Sequence, residues 1–196
     1  MTEPGDNLHG ASQRSRHPVT EDEMTPLVGA WTTWLLVLAC AGYLGLLGWQ
    51  WATLPGRVPR HTNAAGQVDA WWSKSAHVWS MLGVGVVLAL GGPTVRLVLS
   101  RAGSAAKDWI NVPHPEYWKS DENFSRLTVA LGRLMDVFSA LVVGYFGCVV
   151  YIMGLAATRS NVPGWWFWAC LAGFSVLVFA WIRWMYRILR VPVADG

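Results

Sequence analysis

Residues 27–51 read LVGAWTTWLLVLACAGYLGLLGWQW, a run from Leu27 to Trp51 with no charged side chain. About 20 apolar residues in helical form cross roughly 30 Å of hydrocarbon, so the run is long enough to span a bilayer. Its apolar residues are continuous rather than alternating, which favours a helix over a strand. In lipid, only helices and closed barrels satisfy their own backbone polar groups. Three further stretches share the pattern: His77–Val95, Val137–Ala157 and Trp165–Trp184. The whole chain of 196 residues is 53% hydrophobic and 14% charged, where soluble domains carry about 25% charged residues. The expected fold is therefore all-α: one integral membrane four-helix bundle over residues 27–190, with no separate soluble domain.

Outside the spans the sequence changes character. Residues 1–26 are polar, hold Pro4, Gly5, Gly10 and Pro18, and show no apolar period, so a disordered cytoplasmic tail is expected there. Residues 191–196 form a short C-terminal tail. The acidic patch Glu21-Asp22-Glu23 stands where a cleavable signal would be basic, and the run that follows exceeds the usual h-region. Val37-Leu38-Ala39-Cys40 resembles a lipoprotein cleavage box, but charge and length oppose that reading. Cys40, Cys148 and Cys170 all lie inside spans. An odd, embedded set argues for small packing residues, not a disulfide framework.

Charge sets the expected orientation through the positive-inside rule. With the N-terminus in the cytoplasm, eleven Lys and Arg fall inside, among them Arg96, Arg101, Lys107, Arg133, Arg183, Arg187 and Arg190. Four fall outside: Arg57, Arg60, Lys74 and Arg159. The expectation is N-in/C-in, with a structured outer loop between the first two helices. Tryptophans mark the same edges: Trp31 and Trp34, Trp49 and Trp51, Trp79, Trp165, Trp166 and Trp168, Trp181 and Trp184. Headgroup anchoring explains such belts. Gly42, Gly45 and Gly48, with Gly83, Gly85, Gly144 and Gly147, are expected to let helices approach within the bundle rather than to form a dimer seam. Gly91-Gly92-Pro93 should kink or end the second span.

The inner connection, from Ser100 to about Asp136, contains Asp108-Trp109-Ile110-Asn111-Val112-Pro113-His114-Pro115-Glu116-Tyr117-Trp118. Two prolines argue against regular helix there. Asp121 reads as an N-cap. Apolar residues at Phe124, Leu127, Leu131, Leu134 and Met135 suggest an amphipathic helix lying at the inner surface ahead of the third span. Asp136 and Arg183 are the charges nearest the spans. We read both as structural, Arg183 snorkelling and Asp136 meeting Arg133 or water.

The outer loop, Leu54 to Lys74, reads LPGRVPRHTNAAGQVDAWWSK. Pro55-Gly56 fits the centre of a type II turn. Val58 is pushed extended by Pro59. Asn63-Ala64-Ala65-Gly66 suggests a second turn, and Ser73 or Ser75 can cap the next helix. Arg57, Arg60, His61, Asn63, Asp69 and Lys74 are the candidate ligand-binding residues. Three cations against one acid suit an anion or peptide, with arginine pairing a carboxylate or phosphate. A metal site from His61, Asp69 and His77 has no recognised zinc spacing and faces three cations. The plain alternative is a loop that caps the bundle, with Asp69 paired to Lys74 or an arginine and His61 bonded to backbone.

The pattern LPxRVPxHxNxxGxxDxWxSK resembles the conserved loop of a bacterial membrane family of unknown function, whose domain also occurs in SdpI-type immunity proteins. The matching positions are Leu54, Pro55, Arg57, Pro59, His61, Asn63, Gly66, Asp69, Trp71 or Trp72, Ser73 and Lys74. Asn111, Pro113, Glu116, Tyr117 and Trp118 are similar to a second recurring element of a subset of that family, and together the two cover about residues 30–135. SdpI-type proteins are longer; they protect a cell against a secreted toxic peptide and signal to a repressor. The resemblance implies a role in immunity, sensing or recognition of a peptide, lipid or envelope component, and supplies no catalytic residues.

The functional expectation is a non-enzymatic, multi-pass protein of a bacterial plasma membrane. Its expected partners are the lipid bilayer, a peptide or anionic envelope ligand, and a membrane-protein partner. No cofactor, metal or nucleic acid is expected. A small transporter or a scaffold subunit of a membrane complex is the alternative. Transport would need a midplane polar cavity, for which the spans offer Thr32, Thr33, Ser80, Ser139, Tyr145, Tyr151 and Ser175. An enzyme ranks last, because no nucleophile–base pair is legible.

Overall fold

A computed structural model describes residues 28–63, 67–159 and 162–191. The N-terminal tail expected over residues 1–26 lies outside the described residues, as do five of the six residues of the C-terminal tail. Helix α1 (Trp31–Thr53) leads into a hairpin of strands β1 (Arg57–Thr62) and β2 (Val68–Ser73). Helices α2 (Lys74–Ala89) and α3 (Gly91–Ala102) follow, then a 3-10 segment (Gly103–Asp108) and a one-turn helix α4 (Pro115–Trp118). Helix α5 (Asp121–Thr158) and helix α6 (Trp165–Ile188) complete the chain. Four helical runs, Trp31–Thr53, Lys74–Asp108, Asp121–Thr158 and Trp165–Ile188, are long and apolar enough to cross a membrane. They mark the protein as membrane-embedded. The fold is mostly helical, and the all-α expectation is corrected by the two-stranded antiparallel sheet.

Helix α5 is the axis of the bundle. It packs against α1, α3, α6, α2 and strand β1. At about 1.5 Å per residue, its 38 residues reach well beyond a bilayer core. The amphipathic segment before the third span is therefore not a separate surface helix, as the sequence suggested. It is the first half of α5, and Phe124, Leu127 and Leu134 are buried against protein. Leu127, Ile110, Val112, Trp118, Leu99 and Leu189 form one core. Tyr43, Leu47, Val78, Val143 and Val150 form another, between α1, α2 and α5. The outer surface is apolar, with Leu38, Val87, Val176 and Phe179 each more than 60% exposed. Apolar exposure on that scale requires a non-aqueous surround.

Several local readings hold. Helix α2 ends at Ala89 and α3 starts at Gly91, so the Gly-Gly-Pro sequence breaks the second span. Ser73 caps α2, its Oγ accepting from Ala76 N at 3.2 Å. Trp31, Trp34, Trp49, Trp51, Trp79, Trp165 and Trp168 are exposed, while Trp181 is half-buried and donates to the Leu134 carbonyl at 3.1 Å.

Others are corrected. Gly56 does not adopt positive φ, so Pro55-Gly56 is no type II turn; the chain leaves α1 extended at Leu54. The Gly56 carbonyl accepts instead from Lys74 N at 3.0 Å. Pro115 opens a helical turn rather than preventing one, because the first helical position needs no N–H. Helix α5 begins at Asp121 itself, with Ser120 in the cap position. Of the glycines expected to ease packing, Gly85 and Gly147 meet Tyr43, whereas Gly42, Gly45, Gly48, Gly83 and Gly144 face open space.

Both ends of the described chain lie at the bundle end opposite the hairpin, where Val28 and Ile188 share one apolar cluster. The two ends are called the hairpin end and the far end.

Candidate functional site

The hairpin is irregular in a compensated way. Arg57 pairs with Ser73, Val58 with Trp72 and Pro59 with Trp71, after which the register shifts twice. Arg60 is the extra residue on β1 and Asp69 the extra residue on β2. Such bulges bend a strand and re-aim side chains. Val58 and Pro59 are fully buried where β1 crosses the end of α5. The residues on either side of that anchor, Arg57, Arg60 and His61, are exposed.

Of the six candidate ligand residues, the side chains of Arg57 and Arg60 make no hydrogen bond or ion pair among the described residues. His61 and Asp69 pair with each other, Nδ1 lying 2.7 and 2.9 Å from the two carboxylate oxygens. Asp69 is thus tied neither to Lys74 nor to an arginine. Asn63 closes the loop tip: its Oδ1 accepts from Gln67 N at 2.9 Å, and its Nδ2 donates to Gln67 Oε1 at 3.0 Å. The rest of the expected second turn, residues 64–66, lies outside the described residues. Lys74 donates to the Trp51 carbonyl at 3.0 Å and sits over the Trp51 ring. That bond satisfies one of the orphan carbonyls at the end of α1, so Lys74 serves the frame rather than the exposed face. Trp71, the pairing partner of Pro59, is half exposed.

Beneath the hairpin lies a buried polar group that the sequence did not single out. Gln50 and His77 are 0% and 1% exposed. Gln50 Nε2 donates to the Val150 carbonyl at 2.8 Å. The amide is therefore turned with Oε1 toward His77 Nε2, 3.0 Å away, and Nε2 carries the imidazole proton. Trp72 lies edge-on to that ring, centroids 5.6 Å apart. His77 Nδ1 and Trp72 Nε1 are buried without a partner among the described residues. Gly154 makes the room: a Cβ there would fall 2.4 Å from Gln50 Nε2. The signal in the sequence was a lone amide, Gln50, inside an apolar run. His77 is separated by burial from the exposed His61 and Asp69, and no group of three His, Cys, Asp or Glu among the described residues could hold a metal.

The far end holds a second buried polar group. Asp136 is fully buried. Its Oδ2 accepts from Thr33 Oγ1 at 2.8 Å and pairs with Arg96. The expected pairing of Asp136 with Arg133 is corrected: Arg96 is the partner, and Arg133 donates to the Val28 carbonyl instead. Gly92 N donates to Ser139 Oγ at 2.9 Å, satisfying a free amide in the first turn of α3. Arg183 is exposed.

The second motif is structural in placement. Trp118 is 3% exposed and its Nε1 donates to the Leu189 carbonyl at 2.9 Å, clamping the end of α6. Tyr117 packs edge-on against it. Asn111 and Glu116 are exposed, and Pro113 is half-buried. Between them His114 takes a left-handed φ of 55°, which turns the chain into α4.

Of the polar residues expected of a transport path, Thr33 and Ser139 lie about Asp136, and the others do not join them. Thr32 bonds Gly29 O, Ser175 bonds Leu171 O, and Ser139 serves Gly92. Tyr145 stacks on Phe174. Tyr151 lines an apolar groove of about 630 Å³ between α1, α5 and α6.

Residues 31–86 match a family described as a domain of unknown function, DUF1648. The match covers α1, the hairpin and most of α2, and so includes both the exposed arginines and the Gln50–His77 pair. It ends before the second motif. No curated protein and no solved structure matches the chain.

Proposed function

We propose that this membrane protein is a non-enzymatic recognition protein. Its hairpin is held outside a bacterial plasma membrane, and both termini are cytoplasmic. The ligand presents an anionic group, carboxylate or phosphate, on a peptide or envelope component. The observation that carries the reading is the pair Arg57 and Arg60, exposed and unpaired on a hairpin whose backbone is anchored by Val58 and Pro59. Free guanidinium donors on an ordered frame lose little entropy on pairing with an anion. His61, Asn63 and Asp69 shape the tip, and Lys74 secures its base. The excess of Lys and Arg at the far end supports the orientation. The loop's resemblance to SdpI-type proteins supports an immunity or sensing role.

The test uses the purified protein in nanodiscs of zwitterionic lipid, with fluorescent polyglutamate and polyphosphate as carboxylate and phosphate probes. Arg57→Ala with Arg60→Ala should weaken saturable binding of one probe at least ten-fold, and Arg57→Lys with Arg60→Lys should retain part of it. Equal binding by wild type and the alanine variant sinks the reading. Orientation has its own check in a variant lacking the three cysteines. A cysteine at Asp69 should react with a membrane-impermeant maleimide on intact cells, and one at Lys119 should not.

A second reading, a scaffold subunit in a larger membrane complex, is favoured by α6. One face of α6 packs on α5 through Phe167, Phe174 and Trp181, and its other face, with Trp168, Val176 and Phe179, is exposed. A second membrane protein co-purifying in fixed ratio would support it, and a lone monomer in native mass spectrometry would oppose it.

A further inference from the structure

The geometry points to a phosphate-binding pocket at the far end of the bundle, between α3 and α5, remote from the hairpin. A cavity of about 230 Å³ is lined by Arg96, Leu99, Ser100, Thr128, Val129 and Arg133. Arg96 and Ser100 are one turn apart on α3, as Val129 and Arg133 are on α5, so each pair presents one helix face to the other. No acidic side chain is among the lining residues. Ser100 and Thr128 donate their hydroxyl protons to the carbonyls of Leu97 and Ser125, which leaves the two guanidinium groups as the pocket's donors.

Each arginine uses only one terminal nitrogen in its internal bonds, Arg96 to Asp136 and Thr33, and Arg133 to the Val28 carbonyl. Arg96 reaches the buried Asp136 through one terminal nitrogen, and its side chain stays 47% exposed. Its stem lies over Gly132, where an added Cβ would come within 3.3 Å of it. Arg133 reaches the Val28 carbonyl through its other terminus. A guanidinium has five N–H donors in a planar fork, so both retain donors for a shared anion, and phosphate accepts from two such forks at once. Asp136 offsets one of the two charges, which leaves the pocket net cationic.

Depth argues for a headgroup. Arg133 stands four residues before Val137, where the apolar run of α5 starts, or roughly 6 Å along the helix axis. That is the level of lipid phosphates. The volume lies below the roughly 300–1,000 Å³ of pockets for larger organic ligands, and Leu99 and Val129 give it apolar walls for a glycerol backbone. The ligand class is therefore a phosphate monoanion or diester, carried by an anionic phospholipid or by a small glycerol phosphate.

Native mass spectrometry of the full chain in neutral detergent decides it, with phosphatidylglycerol and phosphatidylcholine added at equal concentration. Wild type should retain phosphatidylglycerol at least five-fold over phosphatidylcholine. Arg133→Gln, and separately Ser100→Leu, which fills the pocket and removes no charge, should bring that ratio near one. Inorganic phosphate and glycerol phosphate form the second arm, read as thermal shift. Stabilisation by either that is lost in Ser100→Leu assigns the site to the free anion and supports the same pocket. If neither lipid selectivity nor a phosphate shift is found, or if Ser100→Leu behaves as wild type in both, the pocket is refuted. Ser100 is exposed, so that variant remains informative if Arg133→Gln fails to fold.

Discussion

Helix α1 is fastened to α5 at both ends by buried polar groups, and the two fastenings are built differently. At the hairpin end, Gln50 bonds the Val150 carbonyl and His77, and every member is neutral. At the far end, Thr33 bonds Asp136, which needs Arg96 as counter-charge. A buried neutral amide costs little once its partners are in place. A buried carboxylate requires a cation, and a cation in turn requires a route to water. The long stem of Arg96 supplies that route, keeping half its side chain exposed while its head pairs with a fully buried acid. The neutral fastening can therefore lie under a hairpin, whereas the charged one must sit at an open edge.

The comparison is tested hardest by removing the cation. Arg96→Met leaves Asp136 buried without a counter-charge, a change of about 3 kcal/mol or more in the usual range for broken buried pairs. Asp136→Asn added to Arg96→Met should recover part of that loss, because an amide keeps the Thr33 bond without a charge. Reversible unfolding in mixed micelles would measure both. A double variant no more stable than Arg96→Met would show that charge is not what distinguishes this end.

Clearance comes next. An alanine at Gly92 would place Cβ 2.9 Å from Asp136 N and 3.0 Å from Asp136 Cα. Backbone cannot yield, so Gly92→Ala should cost about 2 kcal/mol through overpacking. At the hairpin end the atoms facing Gly154 belong to the Gln50 side chain, which can swing. Gly154→Ala should cost less, about 1 kcal/mol, and should release the His77 bond, visible as a shift in the imidazole nitrogen resonances. Gln50→Leu removes both bonds of the neutral fastening and should cost a similar amount, about 1 kcal/mol, since hydrogen bonds between membrane helices are individually modest. If Gln50→Leu exceeded Arg96→Met, the contrast between the ends would be reversed.

The spans, the break after Leu90 and the cap at Ser73 were legible because each rests on local sequence: apolar length, Gly-Gly-Pro, a serine before a helix. The hairpin was not. Residues 68–73 do alternate, with Val68, Ala70 and Trp72 less exposed than Asp69, Trp71 and Ser73, but the bulge at Arg60 erases the matching alternation in β1. The pairing of the loop residues was not recoverable from sequence, since His61–Asp69 depends on two bulges that bring them opposite. The ion pair of Asp136 with Arg96 joins residues 40 apart. A reading by neighbourhood favoured Arg133, three positions away in sequence, which helical geometry instead directs toward Val28.

The smallest expected effect is the most useful limit on the comparison. His61 and Asp69 form a polar pair as close as the buried Gln50–Val150 bond, yet their side chains are 67% and 47% exposed. Water and salt screen such a pair, and its contribution to stability should be about 0.5 kcal/mol or less. Asp69→Asn should therefore leave unfolding almost unchanged, in contrast to every substitution at Gln50, Gly92 or Arg96. Asp69 also stands on a bulge at the loop tip, so the same variant should increase amide exchange at residues 60–63 while α1 and α2 exchange as before. A loss of stability comparable to Gln50→Leu would mean that the hairpin is part of the bundle's fastening rather than a shaped surface laid over it, and the separation of frame from exposed face would fail at its outermost residue.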